Sequence, residues 1–481
     1  MSYVIAQSCC NDTSCVFACP VNCIHPTPDE PDFATAEMLY VDPSACVGCG
    51  ACVTACPVGA IMPVEQLAPR LSAFAELNAA FYREPRDRPP LAPVVPAPVA
   101  VTGRFDVAIV GSGPAAMYAA DEVLLQPGAR VTVYERLAQP YGLARYGVAP
   151  DHRETRAITA LFDRIAADPR FRLRTGVEVG RDLTHEELVR RYDAVIYAVG
   201  AATDRRLGVP GESLTGCVPA TDFVAWYNGH PDAAGVRHDL SGDRAVVVGN
   251  GNVAIDVARI LTADPRSLAA TSVAPAALAA LRASRIEEVV LLARRGPEHS
   301  AFTVPALIDL IATPGLQVVV DGELAGTDGV GADPFAAAHK LRLLRDLAPA
   351  SSPRDGRRRV VLRYGAAPRR ILGEDRVTGV ACGEQVIDCG LVLTAIGYRG
   401  VPVPGLPFDE ATGTVPHERG RVAPGVYVAG WIERGPRGFL GTNRTCSRET
   451  VRRLLEDIGA GLIATHAEPG QRLRVGVLPR M

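Results

Sequence analysis

Nine of the 13 cysteines lie in the first 56 residues, and their spacing decides what they can bind. Cys46-x2-Cys49-x2-Cys52-x3-Cys56-Pro57 places three thiols at two-residue intervals before a Cys-Pro. A zinc site takes two spaced pairs, which this run does not supply. A disulfide framework belongs to small secreted domains. The pattern is that of thiolates arranged around an iron–sulfur cluster. Cys9-x2-Asp12-x2-Cys15-x3-Cys19-Pro20 repeats the spacing, with aspartate where the second cysteine would stand. A segment this short has too little core to fold unaided, so bound metal is expected to hold it together.

Residues 1–63 resemble the seven-iron and eight-iron bacterial ferredoxins over their whole length. In those proteins the fourth cysteine of each run reaches across to the other cluster. The resemblance implies that Cys46, Cys49, Cys52 and Cys19 hold one [4Fe–4S] cluster. Cys9, Cys15 and Cys56 hold the other, with Asp12 as the fourth position, giving a [3Fe–4S] or an Asp-ligated [4Fe–4S] cluster. Cys10 and Cys23 are left over and read as buried, unligated thiols.

A second kind of chemistry follows in residues 105–136. An apolar run, Val107 to Val110, turns through Gly111-Ser-Gly113-Pro-Ala115-Ala116 into an alanine-rich stretch, and the next apolar run ends at Glu135. Strand, glycine turn, helix, strand and acid form a dinucleotide fingerprint. Gly111 suits the tight turn, Gly113 the approach of a pyrophosphate, and Ala116 the packing of helix on strand. Glu135 can accept hydrogen bonds from a ribose. A second such unit begins at Asp243, with its turn at Gly249-Asn250-Gly251-Asn252-Val253. Its following strand, Val289 to Leu292, ends in Arg294-Arg295 instead of an acid. Guanidinium forks suit a 2′-phosphate, so NADP(H) is expected there, not NAD(H).

Residues 137–157, LAQPYGLARYGVAPDHRETRA, resemble the signature of adrenodoxin-reductase-type ferredoxin–NADP reductases. The likeness continues through GVPGE, VVVGNGNVAIDVARIL, ARRGP, TAIGY and AGWIERGPRGFLGTN, covering residues 105–460. It implies FAD on the first unit, lined by Ala115, Glu135, Leu143 and Val179, with Gly438, Phe439 and Leu440 at the flavin ring and Trp431 against the flavin or the nicotinamide. It implies NADP on the second, with the Asn250–Val253 turn at the pyrophosphate and Arg294-Arg295 at the 2′-phosphate. His152 and Asp309 are the implied catalytic residues near the nicotinamide. One departure stands out: where the family often has two glutamates, this chain has Ala306 and the shorter Asp309.

The whole chain thus looks like a ferredoxin/ferredoxin–NADP reductase fusion of the actinobacterial type. The expected fold is α/β: two Rossmann-like domains, the NADP domain inserted in the FAD domain, preceded by a small α+β ferredoxin-like domain. The expected boundaries are 1–63 for the two-cluster domain, 64–104 for a helix and proline-rich linker, 105–200 with 390–481 for FAD, and 201–389 for NADP. The sequence predicts one amphipathic helix over 67–82. Six prolines between residues 83 and 103 predict an extended spacer, of up to about 60 Å. Residues 262–285 and 321–357 read as variable surface insertions without chemistry.

The implied activity is electron transfer from NADPH through FAD and the clusters to an external ferredoxin, a cytochrome P450 or another one-electron acceptor. Two other readings fit parts of the pattern: the electron-input subunit of a larger synthase resembling the glutamate synthase small subunit, and a non-catalytic redox relay. A net charge of −3 and a 48% hydrophobic composition give no bias toward nucleic acid or membrane. There is no run of 18 apolar residues and no basic, apolar leader, so a cytoplasmic location is expected. Lys340 is the only lysine.

Overall fold

The computed structural model describes residues 2–86, 88–89, 91, 93–94, 99–322 and 333–465. They fall into two compact units: Met1–Val95 with Tyr146–Ile158 and Asp204–Gly397, and Pro96–Arg145 with Thr159–Thr203 and Tyr398–Met481. No described helix is long and apolar enough to cross a membrane.

The first unit opens with two short antiparallel ribbons. Tyr3–Ile5 pairs with Ile61–Pro63, and Ile24–His25 with Tyr40–Val41. Each cysteine run supplies a five-residue helix between them, Ser14–Ala18 and Ala51–Ala55. Such small ribbons cannot stand alone, and the helix Ala73–Arg83 braces both. Its buried Asn78 donates to the Ile5 carbonyl at 2.9 Å, and its Oδ1 accepts from the N–H groups of Ile5 and Val41 at 3.2 and 2.9 Å. The expected single helix over 67–82 is broken. Ala68 precedes a proline and is held extended, so short turns at Val64–Gln66 and Pro69–Leu71 come before the helix starts.

The spacer falls partly on residues outside those described (87, 90, 92 and 95–98). Its described beginning is pinned, not freely extended. Arg86 lies 4.3 Å over the Phe81 ring and pairs with Asp32, and Asn22 donates to the Pro89 carbonyl at 2.9 Å. These charged and stacking contacts prevail over the tendency of a proline-rich chain to run through solvent.

The rest of this unit is built on seven parallel strands in the order Cys217–Pro219, Leu391–Thr394, Arg244–Val248, Glu288–Leu292, Arg358–Arg363, Leu316–Asp321, Ala348–Pro349. Strands covered on both faces carry nearly continuous apolar runs, and Val246, Val247, Val289 and Leu291 are all buried. The helix Pro334–Arg345 corrects the reading of 321–357 as a surface insertion. Phe335, Ala336, Leu341 and Leu344 are buried. The Phe335 ring meets Phe81 and Tyr40 at 5.3 and 5.5 Å, so this helix supports the cysteine-bearing segment.

The second unit has a six-stranded sheet ordered Arg421–Ala423, Val426–Val428, Ala194–Tyr197, Phe105–Val110, Ala129–Glu135, Phe171–Thr175, antiparallel only at the first pair. Ala194–Tyr197 and Val426–Val428 are sheet neighbours although the whole seven-stranded sheet lies between them in sequence. The helices Pro114–Leu124 and Leu440–Gly459 pack together, with Ser447 donating to the Ala115 carbonyl at 2.8 Å.

Replacing Asn78 by leucine leaves the Ile5 and Val41 amides without partners in the interior. Unmet buried hydrogen bonds cost about 1–3 kcal/mol each. Asn78→Leu is therefore expected to lower the urea midpoint, followed by the visible absorbance of the cysteine-bound chromophore. An unchanged midpoint would count against the bracing role.

Candidate functional site

The two cysteine runs adopt matching loops. Asn11 and Thr13 have φ of 56° and 65°, and Gly48 and Gly50 have 70° and 76°. Asp12 therefore occupies the loop position of Cys49. Thr13 is β-branched, for which left-handed backbone is strained. Its hydroxyl donates to the Asp12 carbonyl at 2.6 Å, and Ser14 Oγ donates to Asp12 Oδ2 at 2.5 Å. Cys19 and Cys56 each follow the short helix in extended backbone. Sulfur contacts repeat as well: the Cys23 N–H points at Cys19 Sγ at 3.4 Å, and the Ala60 N–H at Cys56 Sγ at 3.3 Å.

Burial dominates the electrostatics of these side chains. It pushes the Cys9 thiol up to about 12, and charge on Cys56 and Asp12 adds to it. It raises Cys15, with Cys9, Asp12, Cys56 and Cys52 adding. It pushes Cys52 up to about 11, with Cys46, Cys19 and Cys49 adding. Thiols this reluctant to ionise alone release their protons on binding metal, and the cysteine run fits an iron–sulfur cluster. Among the described residues no three such groups are arranged to hold a single ion. Cluster cysteines spread over several irons and need not converge. Cys10 and Cys23 are both buried, and Cys23 Sγ lies 3.4 Å from Cys19 Sγ.

In the second unit, Gly111 has φ 94°, and a Cβ there would sit 2.6 Å from the Ala198 carbonyl oxygen. Gly113, before the helix Pro114–Leu124, faces open space. The first glycine is required by packing and the second leaves a cradle for phosphate, backed by the free N–H groups of the helix start. Ala115 and Ala116 are buried in its first turn. Both Glu135 oxygens already serve the protein: Oε2 accepts from the N–H and hydroxyl of Ser112 at 3.1 and 2.5 Å, and Oε1 from Leu137 N at 2.8 Å. Oε2 is thereby filled, and Oε1 keeps a second lone pair for a ribose. Leu143 is 37% exposed, an apolar surface for a ligand to cover, and Val179 bridges to Leu183.

The Trp431 indole Nε1 is buried with no acceptor among the described residues, and its ring lies 5.1 Å from Tyr398. A buried orphan donor beside two aromatic rings fits a planar, acceptor-bearing group such as a flavin. Gly438 has a further constraint: a Cβ there would lie 2.6 Å from Thr442 Oγ1, which accepts from Phe439 N at 2.9 Å. Leu440 begins a helix of 20 residues, Leu440–Gly459. Behind it, Cys446 Sγ donates to the buried Glu433 carboxylate at 2.5 Å.

The second glycine turn repeats the first. Gly249 has φ 130°, and a Cβ would sit 2.2 Å from the Ala395 carbonyl oxygen, whereas Gly251 faces open space. Asn252 opens the helix Asn252–Thr262, with Val253 behind it, and accepts from Thr303 N at 2.8 Å. Asn250 lies in the turn itself. Arg294 and Arg295 are exposed directly beyond the strand Glu288–Leu292, and among the described residues neither has an ion-pair partner.

His152 sits in a charged network. Its Nε2 is 2.8 Å from Asp256 Oδ1. Burial opposes charge on the ring, but Asp256 outweighs it and the pKa is raised. Arg259 pairs with Asp151 at 2.9 Å, with Asp256 at 3.3 Å and, most closely, with Asp309. Arg70 is 3.6 Å from Asp309 on its other side. Asp309 is thus committed to two guanidinium groups. Asp256 and Arg259 were not anticipated, although charges three apart in the apolar run VAIDVARIL have to pair. Gln7, Glu37 and Arg70 carry no signal in the sequence.

A family model for pyridine nucleotide-disulphide oxidoreductases matches residues 105–296, and one for 4Fe-4S binding domains matches 39–62. The chain is 54% identical to a probable ferredoxin/ferredoxin–NADP reductase of Mycobacterium tuberculosis, over 96% of this chain and 84% of that protein. It is 40% identical to human mitochondrial NADPH:adrenodoxin oxidoreductase, over 76% of this chain and 81% of that one. Among solved structures it is similar to Mycobacterium tuberculosis FprA in complex with NADPH, with TM-score 0.70 and 44% identity over 74% of this chain and 85% of that one.

Burial pushes the Glu433 carboxyl from 4.5 to about 7. The folded state therefore binds the proton more tightly than the unfolded state. Its contribution to stability is present below pH 4.5 and is lost as pH rises toward 7. Glu433→Gln is expected to flatten that decline in denaturation midpoints measured across this window. Parallel curves for the two proteins would refute the shift.

Proposed function

Because this chain belongs to the ferredoxin/ferredoxin–NADP reductases, we propose that it oxidises NADPH and delivers the electrons singly to a ferredoxin-type or cytochrome P450 partner. Bound FAD supplies the link, since it takes two electrons together and releases them one at a time, and the clusters carry one each. Gly111, Gly113, Ala115 and Ala116 cradle its pyrophosphate, while Glu135, Leu143, Val179, Trp431, Gly438, Phe439 and Leu440 orient the remainder. The start of the long helix at Leu440 faces electron density with the positive end of its dipole. Asn250, Gly251, Asn252 and Val253 hold the nicotinamide nucleotide's pyrophosphate, and Arg294 and Arg295 its 2′-phosphate. His152 orients the nicotinamide end. Asp309 acts by holding Arg259 in place and moves no proton itself. Asp12 completes the set of Cys9, Cys15 and Cys56, and Cys19 completes that of Cys46, Cys49 and Cys52.

The observation that carries this reading is the pair of open glycine cradles, at Gly113 and Gly251, in one chain with two cysteine runs of matching loop geometry. Anaerobic NADPH should bleach the flavin absorbance and produce reduced-cluster EPR signals. Replacing both Arg294 and Arg295 by alanine removes charge-assisted bonds to phosphate, so the KM for NADPH should rise about tenfold to a hundredfold, with NADH little changed. Equal losses for both nucleotides would sink the assignment.

Asp12 makes its own prediction. An oxygen ligand releases iron more readily than a thiolate does. Air-exposed protein should then show an oxidised three-iron EPR signal that Asp12→Cys suppresses. If Asp12→Ala and the native protein have identical spectra and neither shows that signal, Asp12 is not a ligand.

A further inference from the structure

Three side chains of the cysteine-bearing segment reach into the network around His152. Gln7 stands two residues before Cys9, and its Nε2 lies 3.0 Å from His152 Nδ1. The Asp256 carboxylate beside Nε2 can only accept, so the ring proton resides on Nε2 and Nδ1 keeps a lone pair for the Gln7 amide N–H. That proton points to Asp256 Oδ1 at 2.8 Å. Arg259 Nη2, 3.0 Å from the same Nε2, is then left to bond Asp151 and Asp256. Arg70 faces Asp309, which Arg259 grips from the other side. Glu37 accepts from Val304 N at 2.6 Å, at the first residue of the helix Val304–Ile311 that carries Asp309. The imidazole, the acid and the acid's helix each receive one contact from the segment that carries the clusters.

We propose that Gln7 is a positioning residue of the nicotinamide site: through its amide N–H it fixes the tautomer and plane of His152. The ferredoxin module is then part of the NADPH-oxidising machinery as well as the exit for electrons. This inference rests on the reading of His152 as the residue that orients the nicotinamide. Without the Gln7 donor the ring can rotate and place its proton on either nitrogen, so Asp256 no longer selects one geometry.

The test uses the full chain with FAD and clusters in place. Gln7→Met keeps the side-chain length and removes the donor. Anaerobic flavin reduction by NADPH is expected to slow about three- to tenfold, while calorimetry gives an NADP+ Kd within twofold of the native value and the cluster spectra are unchanged. In a His152→Ala background, Gln7→Met should slow the reaction no further. Gln7→Glu places a carboxylate on Nδ1. It adds to Asp256 and Asp151 against Arg259, so the pH-profile limb belonging to His152 should move up by about one unit.

If His152→Ala is slow but Gln7→Met matches the native rate, Gln7 only packs against the ring and the inference fails. Independent, multiplicative effects in the double variant also overturn it. A native rate for His152→Ala removes the reading of His152 and this inference with it. Should Gln7→Met lose its clusters, Gln7→Glu decides, and an unmoved pH profile rejects the proposal.

Discussion

One half-buried carboxylate joins the iron–sulfur segment to the nucleotide fold. Glu37 pairs with Lys340 at 2.5 Å and accepts the Val304 N–H at 2.6 Å. Burial raises its pKa in spite of the lysine. Two charges withdrawn from water offset their desolvation only if both remain matched, and removing one partner typically costs about 3–5 kcal/mol. Next to this pair the rings of Tyr40 and Phe81 stack at 4.2 Å and close on Phe335. The ferredoxin segment consequently packs on the helix Pro334–Arg345, which belongs to the same unit as the seven-stranded sheet.

The family and its type of chemistry were legible in the sequence because their motifs are local. Cysteine runs and glycine turns are written within a dozen residues, with spacings that few other structures demand. The docking was not legible. Lys340 is flanked by histidine and alternating arginines and leucines, a pattern that a solvent-facing helix shares. Only the fold shows that Phe335 and Leu341 face inward and that Glu37 supplies the countercharge. The proline count suggested a spacer standing clear of the protein, since periodicity cannot reveal that Arg86 would find Phe81. Asp309 was expected to be catalytic by resemblance; its pairing with Arg70 and Arg259, which no short motif links, was not legible.

The two nucleotide turns reached the same solution independently. In each, the first glycine is pressed against the carbonyl of the residue just beyond the neighbouring parallel strand, Ala198 after Ala194–Tyr197 for Gly111 and Ala395 after Leu391–Thr394 for Gly249. The glycine turn and the end of its neighbouring strand are therefore packed as one element in both units. A side chain at either glycine would displace that strand end, and a displaced strand end would reshape the turn.

Lys340 is the only ε-amine in the chain, and it is buried behind Glu37. Its charge faces the Glu37 carboxylate at 2.5 Å, so the ferredoxin segment covers it. Acylating reagents, which ignore arginine, meet a protein with a single, covered lysine target. Labelling at that one position would require Glu37 to be displaced, so the near-complete preference for arginine gives this one contact its own chemical reporter.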